Sequence, residues 1–341
     1  MIRHVRWSLR LFLVFVAVSV ASAPSPASAD EWLSLRGQTP EDAAEGRPAS
    51  FRQYEPQNEP LPDQPLTISE TLPEGLSMPD EPAAAALPPP IVPGGTNLVL
   101  SWTSGSGDDL GMTDIDLRQT LIFPRLPGFM VSPGTSVHFL TGPETTDLPE
   151  TLYDHWIEFR YLKKFSDRWA MDLAITPSLY TDYENVGSDA FRMTGRALAL
   201  WTCSPQFQAA FGFIYLDRED ILALPAVGAI WSPTDDYKVE LLFPRPRVMK
   251  KLAASGDKTR WIYVGGEFGG GSWAIDRTDG TADVFTYSAL RFLVGYEVKQ
   301  PRGFSPRVEA GYIFNRQVEY KSEVGDYDPN SAFMVRLGGA F

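Results

Sequence analysis

The sequence predicts an all-β protein, a transmembrane antiparallel β-barrel of about 12 strands, with 14 strands as the alternative. Apolar and polar residues alternate along segments of about 10 to 12 residues, and Trp and Tyr gather near the segment ends. Gly and Ala are also frequent within these segments. A soluble β-sandwich would show the same alternation, but soluble strands average about 5 to 6 residues. About ten residues in a tilted strand cross the apolar layer of a membrane.

The alternation is clearest near the C-terminus, where Val308, Ala310 and Tyr312 alternate with Arg307 and Glu309. Turn residues such as Ser, Pro, Asp and Gly separate the segments. The candidate strands are 96–103, 114–123, 129–141, 155–165, 169–181, 191–202, 207–217, 222–232, 237–247, 258–268, 284–299, 306–320 and 331–341. Bacterial single-chain barrels have even strand numbers, so this parse of 13 is wrong by at least one. The weakest segments are 96–103 and the proline-interrupted stretch 239–248.

The first 29 residues have the three parts of a secretory signal peptide. Arg3, Arg6 and Arg10 precede an apolar run of 13 residues, 11–23, and 27–29 (Ala-Ser-Ala) form a small-residue cleavage site. A spanning helix needs about 20 apolar residues, so this run is too short to be a membrane anchor. We therefore expect export across the inner membrane.

Residues 30–95 are predicted to be a disordered, acidic, proline-rich linker in the periplasm. This segment holds 13 prolines, and its 12 acidic residues outnumber its 3 arginines. Proline breaks helices, and few apolar residues remain to offset the entropy of ordering. The predicted organisation is thus signal peptide 1–29, linker 30–95 and barrel 96–341.

Composition excludes several classes of function. The net charge of −13 over 341 residues argues against a nucleic-acid partner, which needs a basic face. A single cysteine, Cys203, excludes a disulfide framework and a cysteine-based zinc site. The sequence predicts no cofactor and no metal.

The last predicted strand has a distinctive pattern of apolar residues. Phe333, Val335, Leu337 and Phe341 share one face of an alternating apolar strand that ends on an aromatic residue. This pattern resembles the assembly signal of Gram-negative outer-membrane barrels. The resemblance implies that the barrel assembly machinery and outer-membrane lipid are partners of the chain.

Two further segments, 243–247 (FPRPR) and 265–275 (GGEFGGGSWAI), resemble recurring segments of an uncharacterised Gram-negative, porin-like outer-membrane barrel family. The resemblance covers roughly 96–341. It implies a fold and a location, and because that family has no assigned activity it implies no catalytic residues.

Charged residues on the polar side of the strands are the candidate lumen-lining residues. They are Glu158, Arg160, Asp172, Arg192, Arg196, Lys238, Glu240, Glu267, Arg291, Glu297, Lys299, Arg307 and Glu309. Such charges can line a water-filled pore and set its ion preference, or they can pair across the lumen and plug it. The sequence favours a narrow pore over a plugged lumen.

Enzyme motifs are weak. His138 lies two residues from Ser136 on one strand face, so the two side chains could form the Ser–His pair of a lipid hydrolase. A histidine in the barrel wall is the better interpretation. His155 is similar. Asp326-Tyr327-Asp328-Pro329-Asn330 begins like a calcium loop but lacks its glycine and closing glutamate. The glycine run 265–271 lacks the Lys-Ser/Thr ending of a phosphate loop.

The leading hypothesis is an outer-membrane barrel that is a narrow pore for small solutes or ions and is not an enzyme. The alternative is a non-conducting structural barrel whose arm, 30–95, contacts peptidoglycan or a periplasmic protein. A lipid hydrolase embedded in the barrel wall is a third, weaker hypothesis.

Overall fold

The computed structural model describes residues 89–105, 109–143, 146–300 and 303–341. The predicted signal peptide 1–29 and residues 30–88 of the predicted linker lie outside the described residues.

The described residues form one closed antiparallel barrel of 14 strands, the alternative count rather than the favoured 12. Each strand pairs with its neighbours in sequence, and β14 closes the barrel on β1 from Asn97↔Ala340 to Thr103↔Met334. The strands are β1 (Val92–Thr103), β2 (Gly111–Ile122), β3 (Phe129–Thr141), β4 (Thr151–Lys164), β5 (Trp169–Thr181), β6 (Phe191–Ser204), β7 (Phe207–Tyr215), β8 (Ala223–Thr234), β9 (Tyr237–Leu242), β10 (Arg247–Ser255), β11 (Lys258–Asp276), β12 (Ala282–Lys299), β13 (Ser305–Tyr320) and β14 (Ala332–Ala340).

The favoured count of 12 is wrong because the proline-interrupted segment is two strands. The single predicted strand 237–247 contains β9 and the start of β10, which reverse direction at Phe243–Pro246 and pair with each other from Arg247↔Glu240 to Lys250↔Tyr237. Proline cannot donate to a strand ladder, so Pro244 and Pro246 end β9 and force the reversal.

The first strand begins at Val92, so the predicted boundary between linker and barrel falls inside β1. Pro93 is tolerated there because β1 pairs with β14 only from Asn97 onward. Until that point one edge of β1 needs no ladder donor.

The two ends of the barrel differ. At the end that holds Val92 and Phe341, here called the terminal end, the connections are short, as in 205–206, 235–236 and 256–257. At the opposite end, here called the loop end, the connections 142–150, 182–190 and 321–331 are longer. A short 3-10 helix, Ser188–Ala190, lies in the second of these loops. In the described part of the chain, no helix is both long and apolar enough to cross a membrane.

Strand alternation separates an apolar outer face from a polar inner face. Exposed apolar side chains follow one another around the barrel: Leu98, Leu100, Ile115, Leu117, Ile157, Phe159, Leu173, Ile175, Phe211, Phe213, Ile262, Val264, Phe292, Val294, Val308 and Tyr312. The predicted assembly-signal residues Phe333, Val335, Leu337 and Phe341 are exposed with them. Their predicted common face is thus the outer face of the barrel.

Toward the loop end, β11 separates from β10 above Arg247↔Gly265 and reaches β5 at Ala274↔Thr181, while β12 stays paired with β13 as far as Phe285↔Tyr320. Alternation of buried and exposed residues stops there, and residues 271–275 and 283–290 are buried on both faces. This upper hairpin (266–290) packs on a core that includes Leu110, Leu152, Phe285, Ile313 and Tyr320. The part of the loop end that is enclosed by β2–β4 and β11–β14 is therefore filled by protein.

Gly270 allows the close approach of β11 to β12. Gly270 has a φ of +125°, and a Cβ there would lie 1.9 Å from the Tyr287 carbonyl oxygen. Only glycine fits such a close approach of two backbones. The glycine run 265–271 is thereby explained as a packing feature.

Candidate functional site in the barrel interior

All the candidate lumen-lining residues are buried or half-buried, and most of them alternate with exposed apolar neighbours on the outer face of the barrel. Arg192 lies apart and donates to the Asp217 carbonyl oxygen at 3.0 Å, and the other inner charges form two groups on different parts of the wall. We call the group on β2–β6 the acidic wall and the group on β9–β14 the basic wall.

The first part of the acidic wall is centred on Glu158 and Asp172. Glu158 is fully buried and accepts hydrogen bonds from Arg118 at 2.7 Å and from Arg196 at 2.9 Å. Asp172 accepts two hydrogen bonds of 2.9 Å from Arg160 and one of 3.1 Å from Arg196. Each carboxylate thus joins two arginines from different strands, which offsets the cost of burying the charges.

The second part surrounds His138. Its Nδ1 lies 2.8 Å from Asp114 Oδ1 and its Nε2 lies 3.2 Å from Asp154 Oδ2. Ser136 donates its hydroxyl hydrogen to Asp116, and both Ser136 and His138 lie inside the barrel rather than at the lipid face. The serine is thus held by a carboxylate, which does not favour the lipid-hydrolase hypothesis.

The basic wall has two carboxylates at its centre. Glu267 accepts hydrogen bonds from Arg291 at 2.7 Å, from Arg336 at 3.1 Å and from Arg245 at 3.3 Å. Arg336 also donates to Glu309 at 3.0 Å. Glu267 therefore accepts hydrogen bonds from three guanidinium groups.

A neighbouring group continues the basic wall toward the terminal end. Glu240 accepts a 2.6 Å hydrogen bond from Arg247 and lies 3.0 Å from Lys238 Nζ. Glu297 lies 3.4 Å from Lys299 Nζ and 3.9 Å from Arg247. Within the described part of the chain, the buried Nε atoms of Arg291 and Arg307 have no hydrogen-bond partner in the protein.

The two walls carry opposite net charge. Among the described residues, the basic wall joins seven cations to four glutamates: Lys238, Arg245, Arg247, Arg291, Lys299, Arg307 and Arg336 with Glu240, Glu267, Glu297 and Glu309. The acidic wall joins three arginines and His138 to five carboxylates: Arg118, Arg160 and Arg196 with Asp114, Asp116, Asp154, Glu158 and Asp172. The two walls therefore present opposite excess charge to the lumen.

The upper hairpin closes on the acidic wall. Trp273 donates its indole hydrogen to Asp154, and its ring lies 5.4 Å from the ring of His138. Farther out, Lys321 Nζ lies 2.8 Å from Asp189, and this hydrogen bond raises the pKa of Lys321. These contacts hold the hairpin and the loops above it in place.

Sequence reasoning missed several inner-face residues. Asp114, Asp116 and Arg118 alternate with exposed Ile115 and Leu117, so strand periodicity alone could have found them. Arg336 alternates with Val335 and Leu337 in the same way. The upper hairpin had no such signal, because both of its faces are buried.

The remaining sequence candidates are spread over the outer parts of the molecule. His155 lies on the outer face, where Nδ1 is 2.9 Å from Thr135 Oγ1. In the loop that resembles a calcium site, Asp326 accepts a hydrogen bond from the Tyr320 amide at 2.7 Å. No group of three or more His, Cys, Asp or Glu in the described residues could hold a metal ion.

Comparison with known proteins identifies similar solved structures and a family. No curated protein matches the sequence. Solved structures similar to the chain include the KdgM porin, at 10% identity with 72% of this chain and 98% of that chain covered and a TM-score of 0.35. The NanC porin has 12% identity over the same shares of the two chains and a TM-score of 0.36.

A third similar structure, the COG4313 outer membrane channel from Pseudomonas putida F1, has 13% identity over 77% of this chain and all of that chain, with a TM-score of 0.34. A family model described as a domain of unknown function matches residues 141–324, from the end of β3 into the β13–β14 loop. The chain therefore belongs to the DUF6268 family.

Proposed function

We propose that the protein is a bacterial outer-membrane barrel that passes small solutes or ions through a narrow, charged lumen. The single observation that carries the proposal is the pair of oppositely charged walls inside a barrel with an apolar outer face. Charged walls of this kind line aqueous paths through membranes and select ions.

The outer face supports the membrane location. Soluble proteins rarely expose apolar patches of more than a few hundred Å². Here exposed apolar residues continue from β1 through β14, and Trp102, Trp169 and Trp201 are exposed among them near strand ends. Short periplasmic turns are typical of outer-membrane barrels, which supports a periplasmic terminal end, and we propose that the linker lies on the same side. We also propose that the barrel assembly machinery recognises the C-terminal strand.

The opposite excess charge of the two walls supports passage of charged or dipolar solutes. A solute with separated charges can orient between the walls and exchange water for side-chain contacts. The excess of cations on the basic wall, seven against four glutamates, favours anionic groups there. The lumen should therefore prefer anions over cations, although the net charge of the whole chain is −13.

A second candidate function is favoured by the upper hairpin, which fills part of the loop end. In this alternative the barrel does not conduct and anchors its linker to peptidoglycan or to a periplasmic protein.

Conductance in planar bilayers separates the two functions. Protein purified from outer membranes should give discrete current steps, with a reversal potential in a KCl gradient that shows chloride preference. Arg291→Gln should shift that potential toward potassium, whereas Arg260→Gln, an exposed arginine near the terminal end of β11, should not. Persistent silence from inserted, folded barrels would reject the pore and favour the anchor.

A further inference from the structure

The barrel wall has a notch between β8 and β11 on the loop side of the β9–β10 connection. Residues 223–227 of β8 pair with β7, but the pairing of β8 with β9 reaches only Gly228↔Leu242. Among the described strands, none pairs with this upper edge of β8. The wall therefore lacks two strands at this height.

The prolines create the notch by turning the chain toward β11. The carbonyl oxygens of Pro246 and Pro244 accept hydrogen bonds from Gly266 at 2.9 Å and from Phe268 at 3.0 Å. Neither proline can donate back to β8. Above Phe268, β11 bends inward with the upper hairpin, so the second side of the notch also leaves the wall.

The β7–β8 loop bounds the notch at the loop end. Arg218 donates to the Tyr287 carbonyl oxygen at 3.2 Å, and the Glu219 amide lies 3.5 Å from Ser272 Oγ. The notch is thus framed on all sides: by the β8 edge, the β9–β10 connection, β11 and this loop.

The notch opens within the apolar outer face. On its flank, Val227 is 71% exposed and Phe213 is 56% exposed. Unpaired strand edges are not found facing lipid, and irregular backbone at membrane depth is tolerated where it lines a hydrated cavity or is covered by protein. The unpaired backbone of the β8 edge is therefore expected to face a hydrated cavity or protein rather than lipid.

The chemistry around the notch is that of an amphiphile with an anionic head. Arg245, whose side chain is 48% exposed, lies on the β9–β10 connection and shares Glu267 with two other arginines. Phe243 and Phe268 stack beside it with ring centroids 6.1 Å apart. The interior near β6–β9 is apolar, with a packed cluster of Leu198, Leu200, Ala210, Ala226, Ile230 and Leu242.

We propose that this notch is a lateral opening that admits acyl-chain anions, with a carboxylate or phosphate head, between the membrane and the lumen. The head contacts Arg245 and the basic wall, while the chain passes along Phe243 and Phe268 toward the apolar cluster. The inference deepens the proposed function, because it adds a solute class and a route to the same lumen.

Photolabelling of the full protein in bilayers tests the opening without requiring a conducting lumen. The probes are twelve-carbon chains with a photoreactive diazirine and a carboxylate, phosphate or trimethylammonium head. The two anionic probes should label the inward residues Ala226, Ile230 and Leu242, whereas the cationic probe should label only outward residues such as Ile157. Labelling by only one anionic probe would assign the head group.

Substitution then tests the head contact. Arg245→Gln should reduce inner labelling by the anionic probes about tenfold, the effect of losing one charge-assisted hydrogen bond. Arg260→Gln is the matched control and should leave labelling unchanged. Equal inner labelling by anionic and cationic probes, or by wild type and Arg245→Gln, would overturn the proposal.

A cysteine pair tests the route. Val227 and Phe243 are the next partners in register after Gly228↔Leu242. In a Cys203→Ser background, oxidised Val227→Cys/Phe243→Cys should lose inner labelling and regain it on reduction. Ion conductance should be unchanged, which separates failure of the opening from failure of the pore. Inner labelling that persists in the oxidised protein would reject the route.

Discussion

Ala274 of β11 pairs in parallel with Thr181 of β5, although five strands separate β5 from β11 around the barrel. This contact closes the loop end as a smaller ring of nine strands, from β11 through β14 and β1 to β5. Strands β6–β10 are left as a lobe on one side. The upper hairpin is therefore a partition inside the barrel, held at its tip by the loop that follows β5.

That tip contact predicts how the hairpin can be loosened. Asp182 accepts a hydrogen bond from the Asp276 amide at 2.9 Å, and its own amide donates to the Ala274 carbonyl at 3.2 Å. Asp182→Ala removes the carboxylate, with an expected loss of about 1–3 kcal/mol of local stability. The buried Arg277 at the hairpin end should then be cut by trypsin about tenfold faster.

Asp279→Ala is the control for that experiment. Asp279 is exposed and bonds within its own turn to Thr281 at 2.9 Å. Its loss should leave the trypsin rate unchanged. Equal rates in wild type and Asp182→Ala would show that the hairpin does not depend on this contact.

The glycine run gives a second prediction. Gly270→Val places a Cβ against the Tyr287 carbonyl and a β-branched residue at a positive φ, so the upper hairpin should not reach its position. We expect a fall of more than about 3 kcal/mol in stability, measured by urea unfolding in detergent. Gly256→Asn is the control, since Gly256 has a φ of +59° and open space around it. Comparable midpoints for the two variants would contradict the packing role.

The sequence predicted the parts of the fold that repeat and missed the parts that break the repeat. Period-two alternation located Glu158 and Asp172 on the inner face, because their neighbours Ile157 and Leu173 face outward. It could not locate the upper hairpin, where Trp273 and Ala274 are both buried. A strand that leaves the wall meets protein on both faces, and alternation then carries no information.

Side-chain contacts between distant strands could not be predicted from the sequence either. Arg336 of β14 bonds Glu267 of β11, three strands away, and nothing in the spacing of the two residues implies it. The proline pair at 244 and 246 did mark an irregularity. Its consequence, an extra strand and a notch, depends on which carbonyls accept hydrogen bonds from β11.

The buried carboxylate of Glu158 gives a third prediction. Glu158→Gln leaves Arg118 and Arg196 with a neutral partner in a buried site, and we expect a loss of about 3–5 kcal/mol. Heat-dependent migration in detergent gels should show a lower unfolding temperature. Asp167→Asn, which removes an exposed pair with Lys164 at 3.0 Å, should change little. An unfolding temperature equal to wild type would mean that the two arginines find other partners.

The last prediction separates two roles of Phe341. Its ring packs on Phe304 with centroids 4.9 Å apart, so either ring can be removed to lose the same contact. If Phe341 is read by the assembly machinery, Phe341→Ala should reduce the folded protein in outer membranes severalfold, whereas Phe304→Ala should not. If the contact acts only through packing, both variants should lower the yield and the unfolding temperature together. Quantifying folded barrel in membrane fractions, with refolding of both purified variants in detergent, distinguishes the outcomes, because refolding in detergent does not involve the machinery.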